Sequence, residues 1–197
     1  MLRRFILASV CLSGLLSGLS GCAQTVPANW AQGGAAIEIP RARWIVATSV
    51  VDVFPDGRVL INDNQQLTLD RGGRAWDTNN DPVALLERSG VVTGPGDKPL
   101  GQVGVLHASK EGEQNAWLSV LPSGEVVQYG DDGTRSPLGV WVGCNETYQV
   151  HQTCTYLSHL LAPQILNSLQ SNRSLYPYGT GIGPSMMAPG MGFWPYR

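Results

Sequence analysis

Between Arg41 and Cys154, apolar and polar positions alternate in short runs, broken repeatedly by Gly, Pro, Asn and Asp. In Trp44-Ile45-Val46-Ala47-Thr48-Ser49-Val50-Val51-Asp52-Val53-Phe54, Ile45, Ala47, Val51 and Val53 share one face of a period-two pattern rich in β-branched residues, which predicts strand. Pro55-Asp56-Gly57 follows, and Arg58-Val59-Leu60-Ile61 resumes the run. Pro presets φ, Asp can bond its own backbone and Gly accepts a left-handed conformation, so this reads as a hairpin.

The phrase returns 67 residues on: Val120-Leu121-Pro122-Ser123-Gly124-Glu125-Val126 parallels Val53-Phe54-Pro55-Asp56-Gly57-Arg58-Val59. Two related hairpin units are expected within 41–154. Further strand-like runs are Gln66–Asp70, Val91–Thr93, Gln102–Leu106 and Leu138–Val142, while Val83–Glu87 reads as a strand or one helical turn. Closely spaced turns without long intervening helices predict a mainly β fold: an antiparallel meander, barrel or sandwich.

The period then changes. Leu157, Leu160, Leu161, Ile165 and Leu169 fall at helical spacing over 155–171, an amphipathic helix expected to pack on the sheet. Pro163 either kinks it or starts a second segment. Residues 22–40, with Pro27, Gly33, Gly34 and Pro40, read as a flexible tether. The tail 172–197 is rich in Gly and Pro yet holds three of the six Tyr and three of the four Met. Pro and Gly exclude regular structure there, so both ends are expected to be disordered. Tyr176, Tyr178, Phe193, Trp194 and Tyr196 are the residue types enriched at interfaces, and mark the tail as a candidate partner-binding segment.

Residues 1–21 form a leader. Arg3 and Arg4 precede the apolar run Phe5-Ile6-Leu7-Ala8-Ser9-Val10-Cys11-Leu12, and small residues follow, the layout of a secretory signal. The stretch is shorter than the roughly 20 apolar residues of a transmembrane helix. Its end, Leu19-Ser20-Gly21-Cys22, resembles the lipobox of bacterial lipoproteins. The resemblance covers residues 1–22 alone. It implies cleavage before Cys22, diacylglycerol on its sulfur and an acylated amine, hence a palmitate-type membrane anchor. Two or more chains hold a protein stably at a membrane. Ala23 is not the Asp that resembles an inner-membrane retention signal in enteric bacteria, so the resemblance favours the outer membrane.

Of 13 Lys and Arg, Arg3 and Arg4 lie in the leader, leaving 11 against 15 Asp and Glu. No basic block occurs, which argues against nucleic acid as a partner. With Cys11 removed and Cys22 lipidated, Cys144 and Cys154 remain, and an isolated pair in an oxidising compartment reads as a disulfide.

Three constellations hold residue types that could carry chemistry. Asp77, Asn79 and Asp81 have the oxygen spacing that opens a calcium loop, but Pro82 stands where Gly is wanted and Arg88 where Glu is wanted. Cys144, His151, Cys154 and His159 could make a tetrahedral zinc set, though at a spacing unlike the usual fingers. His151, Asp131 and a nearby Ser make a triad only on paper. His107 reads as structural. No nucleophile elbow, zinc-protease motif, phosphate-cradling loop or Cys-x-x-Cys is present. No cofactor, metal or catalytic residue is expected. The chain reads as a non-enzymatic structural or accessory subunit of an envelope assembly, held to the membrane through Cys22 and touching a partner protein through its tail. The alternative is a module for a glycan or other envelope polymer, with Trp44, Trp76, Trp117 or Trp141 offering aromatic faces. A periplasmic hydrolase would need a deep pocket with converging His and Asp.

Overall fold

The computed structural model describes residues 25–174, with side chains to 171. The fold is a closed antiparallel barrel of 12 strands. In chain order they are β1 (Ala42–Val46), β2 (Ser49–Val53), β3 (Arg58–Ile61), β4 (Asn64–Leu69), β5 (Arg74–Trp76), β6 (Pro82–Leu86), β7 (Val91–Thr93), β8 (Pro99–Val103), β9 (His107–Ser109), β10 (Leu118–Val120), β11 (Glu125–Tyr129) and β12 (Arg135–Val142), followed by one helix, α1 (Tyr148–Ser174). Each strand pairs with its sequence neighbours, and β1 closes on β12 through Trp44 opposite Trp141 and Ile45 opposite Val140. Closure removes the edge strands that would otherwise template association. Among the three architectures expected, the barrel is the one formed, and the Val83–Glu87 run is strand.

Period two sets inside and outside. Along β1, Ala42, Trp44 and Val46 are buried and the two residues between are exposed. Outside, Arg43 pairs with Asp52 across β1 and β2 at 2.7 Å. Ile45, Val140 and Val142 leave a small apolar patch on the same wall.

One device recurs along the rim where β2–β3, β4–β5, β6–β7 and β10–β11 turn. A four-residue turn ends in Gly57, Gly73, Gly90 or Gly124, each with φ between 74° and 94°. Its N–H donates to the carbonyl at the turn's start, Phe54, Asp70, Glu87 or Leu121. Its own carbonyl accepts from the end of a neighbouring strand: Leu69, Leu86, Val103 or Trp141. A Cβ on any of the four would meet that neighbour's carbonyl oxygen, and positive φ already favours glycine. The Phe54–Gly57 and Leu121–Gly124 turns are the two read from sequence. Leu106 occupies the intervening place, its carbonyl accepting from Val120 N, in a tighter turn where Gly104 N donates to the His107 carbonyl. The sixth place falls where Gly143, after β12, packs on the Arg41 carbonyl, before β1.

Residues 27–40 are not a free tether. Gly34 N donates to Gly72 O, Ala35 N to Leu86 O and Ile37 N to Arg71 O. Ala35 and Ile37 join the core. Arg74 holds the Trp30 carbonyl at 2.6 Å, and Trp30 meets Trp76 edge-on at 5.3 Å. This strap runs from the rim bearing the Pro95–Asp97 turn to the glycine rim. Its few apolar residues and its Gly and Pro gave no period from which packing could be read.

The helix also departs from expectation. It begins at Tyr148, capped by Thr147, whose hydroxyl oxygen accepts from Val150 N at 3.1 Å and whose proton goes to Glu38. It is not laid on an open sheet face. Thr153 to His159 are buried without interruption, nearly two turns at 3.6 residues per turn, so every side of the helix is covered. The helix fills the barrel, whose 12 strands enclose more space than their own side chains would fill. Beyond Ala162 it emerges: Pro163 and Gln164 are exposed and only Ile165 remains fully buried.

Candidate functional site

The barrel interior is where the chain concentrates its buried polar chemistry, and the strands aim donors and acceptors at α1 from several sides. Thr155 donates to Val105 O at 2.6 Å, and Thr153 to Glu38 O at 2.7 Å. Ser158 accepts from the Trp141 indole at 2.8 Å and gives its own proton to Cys154 O. Trp117 donates its indole N–H to His159 Nδ1 at 2.9 Å, which leaves Nε2–H to donate to Leu100 O at 3.1 Å. His159 is therefore a neutral imidazole, and burial holds its pKa below the ordinary histidine range, partly opposed by the Leu100 carbonyl. Tyr156 reaches Gly73 O at 3.3 Å; burial, and next the Asp70 carboxylate, push its phenol well above the usual range. No buried side-chain nitrogen or oxygen among the described residues lacks a partner.

This geometry places the sequence candidates. Cys144, just beyond β12, is disulfide-bonded to Cys154 in the second turn of α1. The bond ties the strand that closes the barrel to the helix that fills it. The two thiols are thus consumed, His151 Nε2 lies 2.8 Å from Val120 O, and His159 is bonded at both nitrogens. The four residues do not converge on a metal. His151 and Asp131 sit at opposite rims, since Asp131 lies in the β11–β12 turn and His151 beside the end of β10. Asp77 Oδ1 accepts from Asn79 N and Asp81 N, a turn closed on itself rather than a cation loop. His107 Nδ1 lies 2.6 Å from Ser119 Oγ, but Ser119 is 0% exposed beneath it. Such a serine offers no nucleophile to a solvent-borne substrate.

Three of the candidate tryptophans turn inward. Trp44, Trp117 and Trp141 are buried, and Trp44 stacks on Trp141 at 5.5 Å and 19° while donating to Leu138 O. Trp76 is partly covered by Trp30. The faces of Trp44, Trp117 and Trp141 serve the core rather than a ligand, whereas half-buried Trp76 lies on the other side of β5 from the buried Ala75.

Two grooves flank α1 where it enters and leaves. The entry groove, about 750 Å³, is lined by Val105, Leu106, Pro122, Tyr148 and His151, with Tyr148 81% exposed. The exit groove, about 420 Å³, is lined by Leu100, Lys110, Trp117, Leu160, Pro163 and Leu166. Neither groove joins a histidine to an aspartate. Sequence reasoning missed both, because they arise where a helix passes through a rim and no local pattern encodes that. Cys22 and the tail residues Tyr176, Tyr178, Phe193, Trp194 and Tyr196 lie outside the described residues. No family model, curated protein or solved structure matches the chain.

Proposed function

We propose that this is a lipid-anchored protein of the bacterial envelope, a non-enzymatic structural or accessory subunit of an envelope assembly. The filled barrel carries this reading. An open barrel interior is the usual place for a small ligand, and here α1 occupies it with its polar groups satisfied by the wall. The leader and Leu19-Ser20-Gly21-Cys22 supply the anchor. The barrel itself is poorly suited to sit within a bilayer. Its strands have three to eight residues, where a membrane-spanning strand needs about 9–11. Arg43, Asp52, Arg58 and Asp56 form ion pairs on its outside.

The tail beyond Ser174 is the proposed partner contact, because aromatic and Met side chains spaced by Gly and Pro can seat separately in pockets of another protein. The glycan reading is the weaker one, since three of the four tryptophans it relied on, Trp44, Trp117 and Trp141, are in the core, and Trp76 is partly covered by Trp30. The test is truncation after Ser174, with crosslinking and co-purification from the native membrane. Loss of partners at unchanged melting temperature supports the tail contact. Retention of every partner removes it, and a melting temperature many degrees lower makes the tail part of the core.

A further inference from the structure

The strap is fastened at the rim bearing the Pro95–Asp97 turn as well as at the glycine rim. Near its start, Gly96 N donates to Thr25 O at 2.7 Å and Ala28 N donates to Asp97 Oδ1 at 2.7 Å. The chain is therefore fastened to the β7–β8 turn from Thr25 onward. If Cys22 carries lipid, Ala23 and Gln24 alone separate it from that fastening. Three residue steps span at most about 11 Å. A free tether of the length expected from sequence would have reached roughly 60 Å at full extension.

We infer that the barrel stands on the lipid surface in one orientation, with the rim bearing the Pro95–Asp97 turn against the headgroups and the glycine rim facing away. This rests on the lipoprotein reading and adds to it the membrane-facing surface. The facing rim includes the turns at Asn62-Asp63, Asp77–Asp81, Pro95–Asp97 and Asp131-Asp132. These turns are acidic, so proximity is imposed by the short leash and not by attraction to anionic lipid. Gln164 of α1 bonds Gln66 near this rim, and the exit groove lies beside Leu100. The helix thus leaves the barrel on the membrane side, and the tail starts there, within reach of partners in or on the same membrane. The Tyr148 groove stands at the opposite end, about 24 Å away at 1.5 Å per residue along α1 from Tyr148 to Gln164.

The experiment uses the full lipidated chain in phosphatidylcholine vesicles carrying an acceptor dye on a minor headgroup. A donor dye is placed through Lys98→Cys at the inferred membrane rim or Ser123→Cys at the far rim, both exposed positions. Energy transfer should be several-fold stronger from position 98 than from 123. A flexible Gly/Ser insert of about 12 residues between Gln24 and Thr25 should largely level the two. Equal transfer without the insert, or stronger transfer from 123, overturns the orientation while leaving the anchor intact. Failure to incorporate labelled palmitate, with no vesicle association, overturns the lipoprotein reading and this inference with it.

Discussion

Thr155 lies roughly 160° around the helix from Leu157, on the side that an amphipathic helix would show to water. It is instead 0% exposed, with Oγ1 2.6 Å from Val105 O and 3.1 Å from His151 O. Thr155→Val keeps the shape and removes the donor, leaving the Val105 carbonyl without this partner. An unsatisfied buried acceptor costs about 1–3 kcal/mol. For a domain of this size each kcal/mol moves the melting temperature by about 2–4 °C, so a fall of about 2–12 °C is expected. Thr155→Glu is harsher: enclosing an ion costs several kcal/mol against a total stability of about 5–15 kcal/mol. That variant should be mostly unfolded or populate a loosened barrel. Asn167→Glu, on the exposed part of the same helix, should stay within about 0.5 kcal/mol of the parent. Urea unfolding followed by tryptophan emission reads all three, since Trp117 and Trp141 bond the helix directly. A Thr155→Glu protein with an unchanged midpoint would refute the reasoning, because residue 155 would then face solvent and α1 would lie outside the barrel.

Replacing Cys144 and Cys154 together by Ala should lower stability by about 3 kcal/mol, the chain-entropy value for a loop closed between residues ten apart, read as a shift in denaturant midpoint. Stability should also fall on acidification through His159. Its folded pKa lies below the ordinary 6.5, so beneath that pH the unfolded chain binds a proton the folded one refuses, and stability drops until the folded value is passed. His159→Gln should flatten this slope as pH falls below the ordinary histidine value, as followed by midpoint against pH; an unchanged slope would place its cause elsewhere. Gly124→Ala should cost clearly more than Gly133→Ala: both have positive φ, worth about 1 kcal/mol, but only at 124 does the new methyl meet a backbone carbonyl, that of Trp141. Equal melting temperatures for the two would count against the rim contact.

The strand runs were legible from their β-branched residues, and the Pro55-Asp56-Gly57 turn carries its own mechanism. The face expected inside was not the buried one: the Ala47-Thr48 turn splits the run into β1 and β2, so Trp44 and Val46 point inward with Val51 and Val53 while Ile45 is exposed. Two of the rim turns were legible as a repeat because both hold Pro-x-Gly. Asp70–Gly73 and Glu87–Gly90 were not, since they share with them only a terminal glycine and a backbone conformation. The sixth place divides between the two ends of the barrel, where linear comparison cannot join it. The helix position was misread for a different reason. His151, Thr153, Thr155, Ser158 and His159 look like a solvated face in sequence, and the indoles of Trp117 and Trp141 and the carbonyls of Glu38, Leu100, Val105 and Val120 make burial tolerable. The disulfide was legible by elimination among four cysteines, whereas its role as a tie between β12 and α1 needed the barrel.

The anchor is the claim on which the envelope function and the orientation both stand. Intact-mass measurement of the protein isolated from its own membrane tests it most directly. The account predicts a chain beginning at Cys22, with diacylglycerol on the sulfur and an acyl group on the amine. A chain that keeps the leader, begins at another residue or carries Cys22 unmodified would contradict it.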